Sequence, residues 1–424
     1  MNSTKVFGDI TTMRYLLFLF AIGFSHSLCA NNAELVIYHD ADYTSHSSSA
    51  ESMAMGFNTA LAEVNHQVQG YSLKLIAKDH HGNVKRSKLH MKQFLKDSNA
   101  LAMLGGLHSP PYITNRNFIN ENGVLLLVPL AAGGPITRYD AGTNWVYRVS
   151  IDDTKAGYRL ADFAVNAKAC KAPHLLLENT GWGKSNYKTL TQALNQQSDI
   201  FPGISWFEWN TKKNAARTIL REISELKADC IIFVGNSIEG EVFSRAMISM
   251  PTEKRLPIIS HWGITGGNFH QIYSNHLHGV LDLSFVQTCF SFISTPPNPL
   301  SQQVLQQASK LYPGKIQKGT DITAPPGFIH AYDIGKILLS ALNQVTLTGD
   351  IQKDRSKIRD ALENLNSAVV GLVKTYNPPF TPLNSNNNDG HEALGLDDFC
   401  MAHYDSKGLI HVLTNQPQLT NLNQ

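Results

Sequence analysis

Cysteine is scarce, with five residues in 424. That is too few for a disulfide-built scaffold, and no pair has the CxxC spacing of a zinc ribbon or thioredoxin-type site. Charge is also modest, at 17% of residues, with Lys+Arg 36 against Asp+Glu 34 and a formal net charge of +2. No basic run stands out, so nothing electrostatic points to a nucleic-acid partner. HExxH and GxSxG motifs are absent, which removes the zinc-protease helix and the serine-hydrolase nucleophile turn. No segment approaches the roughly 20 apolar residues a bilayer span requires. What is present is ordinary globular material: 42% hydrophobic, 9% aromatic, 30 Gly and 18 Pro. At roughly 100–200 residues per domain, that length predicts two or three domains.

The N-terminus reads as an export address. Tyr15 to Phe24 is a short uncharged apolar run, preceded by Lys5 and Arg14 and followed by small residues around Ser27 and Ala30. This is the order of a cleavable secretory signal over residues 1–30, and Met13 is a possible alternative start. Leu28 disfavours lipidation of Cys29, because a small residue is needed before a lipidated cysteine. The expected mature protein is soluble and periplasmic. Cys170, Cys230, Cys289 and Cys400 then lie in an oxidising compartment. Cys170 precedes HLLLEN and Cys230 opens CIIFVG. If these runs are neighbouring strands, the two thiols share a sheet edge. A disulfide and a pair of free buried thiols both remain open there, and the state of Cys289 and Cys400 is equally open.

Strand and helix signals alternate along the chain. Apolar runs at Leu35–His39, Ser72–Ala77, Ala100–Leu104 and Val124–Pro129 read as strands, with helical spacing at Ser48–Val64, Ser87–Leu95 and Ile113–Asn122 between them. The pattern restarts with strands at His174–Glu178, Ile204–Glu208, Cys230–Gly235 and Leu256–Ser260, and helices at Ala161–Ala167, Ser185–Gln196, Ala215–Leu226 and Glu239–Met250. Three further helices (Leu300–Leu311, Ile329–Val345, Ile351–Leu365), a Pro/Asn-rich loop and a terminal hairpin at Phe399–Leu413 follow. Such alternation is the signature of doubly wound parallel sheets, an α/β fold.

Two apparent chemical motifs fail on inspection. Gly181 to Ser185, GWGKS, resembles the tail of a phosphate-binding loop, but the required first glycine is Glu178, whose charge repels phosphate. Seventeen histidines include His39, His46, His80, His81 and His90, and the His80–His81 pair lies at a strand end, where α/β ligands gather. No metal-ligand spacing is met, so these read as exposed loop histidines, with no metal, cofactor or catalytic residue expected.

Several segments, in order, resemble the type I periplasmic binding proteins, in the branch containing leucine/isoleucine/valine-binding solute receptors of ABC transporters. These are GGLHSPPYITN, ENGVLLLVPLAAGG, LLLENTGWGKSNY, ADCIIFVGNSIEGEVF, GFIHAYDIGKILLSAL and HEALGLDDFCMAHYDSKGLIHVL, spanning roughly residues 33–414. The resemblance implies two α/β lobes joined by three hinge crossings, near Val149, Leu281 and Phe399. Lobe 1 would take 31–150 and 284–395, and lobe 2 would take 151–283 and 396–424. It implies no catalysis and a monomer that presents a small ligand to an ABC permease or a membrane sensor. A receptor-like protein whose degenerate cleft binds a protein partner is the alternative.

Ligands of open parallel sheets bind beyond the carboxyl ends of the strands, and two facing sheets make a cleft there. The expected ligand contacts are therefore Tyr43, Ser49, Ser109, Ala131, Ala132, Trp182, Asn236, Ser237 and Trp262. Backbone N–H groups at the helix start after Ser109 are candidates to hold a carboxylate, and a plain N-cap is the competing role for Ser109. Two departures from the family bear on the ligand. Ala131-Ala132-Gly133 lacks the hydroxyl that amino-acid-binding members use, and Trp262 stands where they carry an acid for the ligand ammonium. The implied ligand is a small organic molecule that is amino-acid-like, aromatic or carboxylate, with an apolar or quaternary-amine compound also suited to the aromatic faces and common aliphatic amino acids binding poorly.

Overall fold

The computed structural model describes residues 33–293, 298–384 and 386–413. The expected signal segment, Cys29 and the last eleven residues lie outside this range. The first unit runs β1 (Glu34–Ala41), α1 (Ser47–Ala62), β2 (Gln67–Val68), β3 (Tyr71–Asp79), α2 (Val84–Lys96), β4 (Ala100–Gly105), α3 (Pro110–Thr114), α4 (Arg116–Glu121), β5 (Leu126–Val128) and β6 (Val146–Arg148). Its sheet has the order β2-β3-β1-β4-β5-β6, parallel except for the short β2. β4 and β5 are wholly buried, as expected of strands covered by helices on both faces.

The second unit runs α5 (Asp153–Asp162), β7 (Pro173–Glu178), α6 (Gly181–Ser198), β8 (Gly203–Phe207), α7 (Lys213–Glu225), β9 (Cys230–Val234), α8 (Ser237–Ile248), β10 (Ile258–Ser260), α9 (Phe269–Ile272) and β11 (Leu283–Thr288). Then come α10 (Pro299–Leu311), α11 (Pro325–Gln344), α12 (Ile351–Glu363), the small hairpin β12 (Val369–Val370) and β13 (Thr375–Tyr376), and finally β14 (Phe399–Tyr404) and β15 (Ile410–Val412). The second sheet is ordered β15-β14-β11-β10-β9-β7-β8. The result is a two-lobed α/β architecture. The chain passes from one sheet to the other after Arg148, returns after Thr288 and crosses again before Phe399.

The expected lobe boundary at 283/284 needs correction on this point. It cuts β11, which pairs in parallel with β10 and antiparallel with β14 and so stays in the second sheet to Thr288. The helices that follow return to the first sheet. α11 packs along α1 at a close approach: Gly56 faces the Phe328 carbonyl, which a Cβ would overlap. From α12, Arg355 donates to the carbonyls of Phe94 and Ala100 at 2.9 and 2.6 Å.

The crossings are secured by one disulfide and by ion pairs. Cys289, just after β11, is bonded to Cys400 in β14, whereas Cys170–Cys230 ties the starts of β7 and β9 together within the second sheet. At the first crossing, Arg148 is fully buried and donates to Asp152 at 2.9 Å and Glu392 at 2.6 Å. Lys155 reaches Asp152 at 3.0 Å and Asp389 at 2.8 Å, and Arg138 joins the same carboxylates. The three cations hold Asp152 well below the usual carboxylate range against the opposing effect of burial.

Candidate functional site

The carboxyl ends of β4 and β5 in one sheet face those of β7, β9 and β10 in the other. A small cavity lies between them, lined by Leu107, His108, Ser109, Pro110 and Ala132 from the first lobe and Glu178, Trp182, Asn236 and Trp262 from the second. Its volume is about 10 Å³, room for one water molecule. A wider groove of about 310 Å³ adjoins the interface, lined by Ser45–Ser48, Ser237, Gly267 and neighbours.

Five expected contacts therefore meet in the cavity: Ser109, Ala132, Trp182, Asn236 and Trp262. Ser237 lines the groove instead. Tyr43 lines neither and hydrogen-bonds His39 Nδ1 at 2.6 Å. Ser49 is buried beside Gly327 of α11. Ala131 packs in the apolar core behind β5, with its carbonyl accepting from Arg148 at 3.2 Å.

Ser109 precedes α3 but its side chain makes no cap bond, and its hydroxyl accepts from the Gly133 N–H at 3.0 Å. The expected carboxylate site at the start of this helix is not formed. Pro110 and Pro111 carry no N–H, and the Tyr112 and Ile113 N–H groups are taken by the Ser109 carbonyl. The glycines of GWGKS have a packing role. Gly183 lies against the Glu178 carbonyl, where a Cβ would overlap it, and Thr180 caps the helix at Gly183 N–H.

The two tryptophans differ in their polar edges. Trp182 donates its indole N–H to Asp153 at 3.1 Å and meets His261 edge-on at 5.2 Å. Trp262 is buried, and its indole N–H has no partner among the described residues. A buried donor without a partner costs free energy, and a ligand oxygen would satisfy it.

Sequence reasoning missed Glu178 as a cavity residue. It is the last residue of β7, buried, accepting from Thr180 Oγ at 3.0 Å and reached by Asn236 Nδ2 at 3.4 Å. Burial raises its carboxyl to about 7, only partly opposed by hydrogen bonds from Trp209, Thr180 and Asn236. The cavity thus carries an acid after all, from a different strand than the family pattern suggests. Its visible signal was a carboxylate closing an apolar run.

The histidines also need correction. His39, His80, His90 and His108 are buried, His46 is half-buried, and of the five singled out from sequence only His81 is exposed. His90 Nδ1 bonds Asp40 at 2.6 Å beneath β1. Desolvation pushes His39 down to about 3 and His108 down to about 4, so both are neutral at pH 7.

The periplasmic binding protein family model matches residues 41–395, most of the chain. This protein belongs to the periplasmic binding protein family. Its members are non-enzymatic receptors, so the chain is a small-solute receptor and not an enzyme. No curated protein gives a significant match. Among solved structures, a possible leucine/isoleucine/valine-binding protein from Rhodopirellula baltica SH 1 superposes with a TM-score of 0.73 at 16% identity, covering 92% of this chain and 98% of that one. A Thermotoga maritima leucine binding protein gives 0.69 at 16%, covering 90% and 98%. A Rhodopseudomonas palustris ABC-transporter solute binding protein in complex with benzoate gives 0.70 at 15%, covering 90% and 96%. Among the described residues, no helix of this receptor is long and apolar enough to cross a membrane.

Proposed function

We propose that this receptor is exported to the periplasm, traps a small aromatic or carboxylate ligand between its lobes and presents the closed form to an ABC permease or membrane sensor. The observation that carries the ligand class is the unpartnered indole N–H of buried Trp262, which lines the cavity together with apolar Trp182, Leu107, Pro110 and Ala132 and polar His108, Ser109, Asn236 and Glu178. Aromatic and aliphatic walls beside a free donor suit an aromatic ring bearing an oxygen acceptor. Glu178 adds a group that donates when protonated and accepts when ionised. Structurally similar receptors recorded with benzoate and 4-hydroxybenzoate agree with this class. Glu178, raised to about 7, is only partly ionised at neutral pH and is a weak substitute for the acid missing after β10, which argues against leucine-type ligands. Two disulfides agree with export to an oxidising compartment.

We place the lobe boundaries at the sheet crossings, with 33–150 and 289–395 as one lobe and 151–288 and 396 onward as the other. Ligand would favour the closed form through contacts from both lobes that only closure completes. One observation favours the alternative of a degenerate cleft that serves a protein partner: the cavity holds only about 10 Å³. Native mass spectrometry of the purified mature protein separates the two. A co-purified small aromatic acid supports the ligand reading. A protein that carries nothing and gains no mass with any aromatic acid at millimolar concentration supports the alternative.

A further inference from the structure

At the ends of β1 and β4, in the cleft wall of the first lobe, three ligating atoms converge. His46 Nδ1 lies 3.1 Å from Asp42 Oδ2, His108 Nε2 lies 3.2 Å from the same oxygen, and the two nitrogens are 3.2 Å apart. Asp42 as a carboxylate only accepts. Two neutral imidazoles that both donate to Oδ2 hold their N–H groups side by side, with the nitrogens only 3.2 Å apart. One cation instead takes a lone pair from all three atoms at once.

The dimensions agree. A tetrahedral zinc with bonds of about 2.0–2.1 Å holds its ligand atoms roughly 3.3 Å apart. The set is also oriented as metal ligands are: Asp42 Oδ1 accepts the Thr44 and Ser45 N–H groups at 3.2 and 2.8 Å, leaving Oδ2 for the histidines. A neighbour needs a partner too. Buried His80, its ring 6.1 Å from that of His108, has Nδ1 occupied by the Gly82 N–H at 2.9 Å and Nε2 unpartnered. A water on the fourth coordination position is a suitable acceptor. Trp209 of the other lobe packs on His108 with ring centres 5.0 Å apart and helps cover the site.

We propose that Asp42, His46 and His108 bind one divalent transition-metal ion of the zinc type, with an open fourth position. The other grouping of ligand-type residues, Cys170, Asp229 and Cys230, is closed to metal by its disulfide. The proposal does not depend on which organic ligand the receptor takes. Two nitrogen donors select zinc, cobalt or nickel over magnesium or calcium.

The test is calorimetric titration of the tag-free, chelator-treated mature protein with Zn²⁺ alone, with Co²⁺ as spectroscopic reporter. One site per chain is expected, with the intense visible bands of tetrahedral Co²⁺ and no heat from Mg²⁺ or Ca²⁺. His46→Ala and Asp42→Asn should each lower zinc affinity by at least about 100-fold, the upper end of the cost of losing even an outer-shell partner. His46 is the least buried of the three, so its variant tests the site even if His108→Ala fails to fold. His411→Ala, on the exposed pair with His403, should leave binding unchanged. Absence of zinc binding, or binding that survives both His46→Ala and Asp42→Asn, overturns the proposal.

Discussion

Trp182 and Trp262 line one cavity yet differ by one hydrogen bond, and the difference separates folding from binding. Trp182→Phe strips a donor from buried Asp153 and should cost about 1–3 kcal/mol of stability in urea unfolding. Trp262→Phe removes a donor that has no partner among the described residues, so it should lose only the packing of the smaller ring, less than Trp182→Phe loses, while affinity for an aromatic acid falls about tenfold, as one net hydrogen bond requires. Equal destabilisation by both variants would contradict this assignment. Glu178 gives a pH signature. Its carboxyl is raised in the folded state, so it adds stability that is complete below its ordinary value and is lost as pH rises through about 7. An anionic ligand should bind more tightly below pH 7, where Glu178 is neutral, than above it. Glu178→Gln should flatten both profiles, and calorimetry at pH 5.5 and 8.5 checks this. At this scale five of the nine expected cleft residues lie together at strand ends, because a short apolar run reveals where a strand stops, while Tyr43, Ser49, Ala131 and Ser237 lie outside that cavity. The Asp42–His46–His108 group was not, since His108 lies 62 positions beyond His46 and meets it only because β1 and β4 are parallel neighbours.

Elements were read best where they are long and periodic. α1, α7 and α11 lie close to their expected spans, and the terminal hairpin expected over Phe399–Leu413 is formed by β14 and β15. β6 and β11 escaped notice. β6 has three residues, and β11, LSFVQT, mixes polar residues into a buried strand because both of its neighbours supply the ladder. The single helix expected over Ile113–Asn122 is two, α3 and α4, meeting at Asn115. In α11, the Ala331-Tyr332-Asp333 stretch is structural: Asp333 accepts from Leu372 N, Val373 N and Tyr376 Oη at 2.6, 3.0 and 2.7 Å. Between elements, the Cys289–Cys400 bond fixes β14 beside β11 and closes a separation of 111 residues. Replacing both cysteines by serine should cost about 2–5 kcal/mol, read as a lowered thermal midpoint, with the wild type matching the variant only under reduction. A midpoint unchanged by the substitution would show that the sheet alone holds this register.

For the whole molecule, two sheets and three crossings make a cleft whose walls come from both lobes, so under the proposed closure a bound ligand would add stability. Alternation of strand and helix made this architecture legible; the size of the cavity was not, because it depends on how far Trp182, Trp262 and Trp209 from one lobe reach toward the other. The ligand claim is tested most directly by a thermal-shift screen of the mature protein against benzoates, aliphatic acids, quaternary amines and branched-chain amino acids. At a hundredfold excess over Kd a bound ligand adds about 2.7 kcal/mol. A clear rise with one or more aromatic carboxylates, reduced in Trp262→Phe and absent with leucine, isoleucine and valine, is the expected result. A strong rise with leucine, or no rise with any small molecule, would contradict the account.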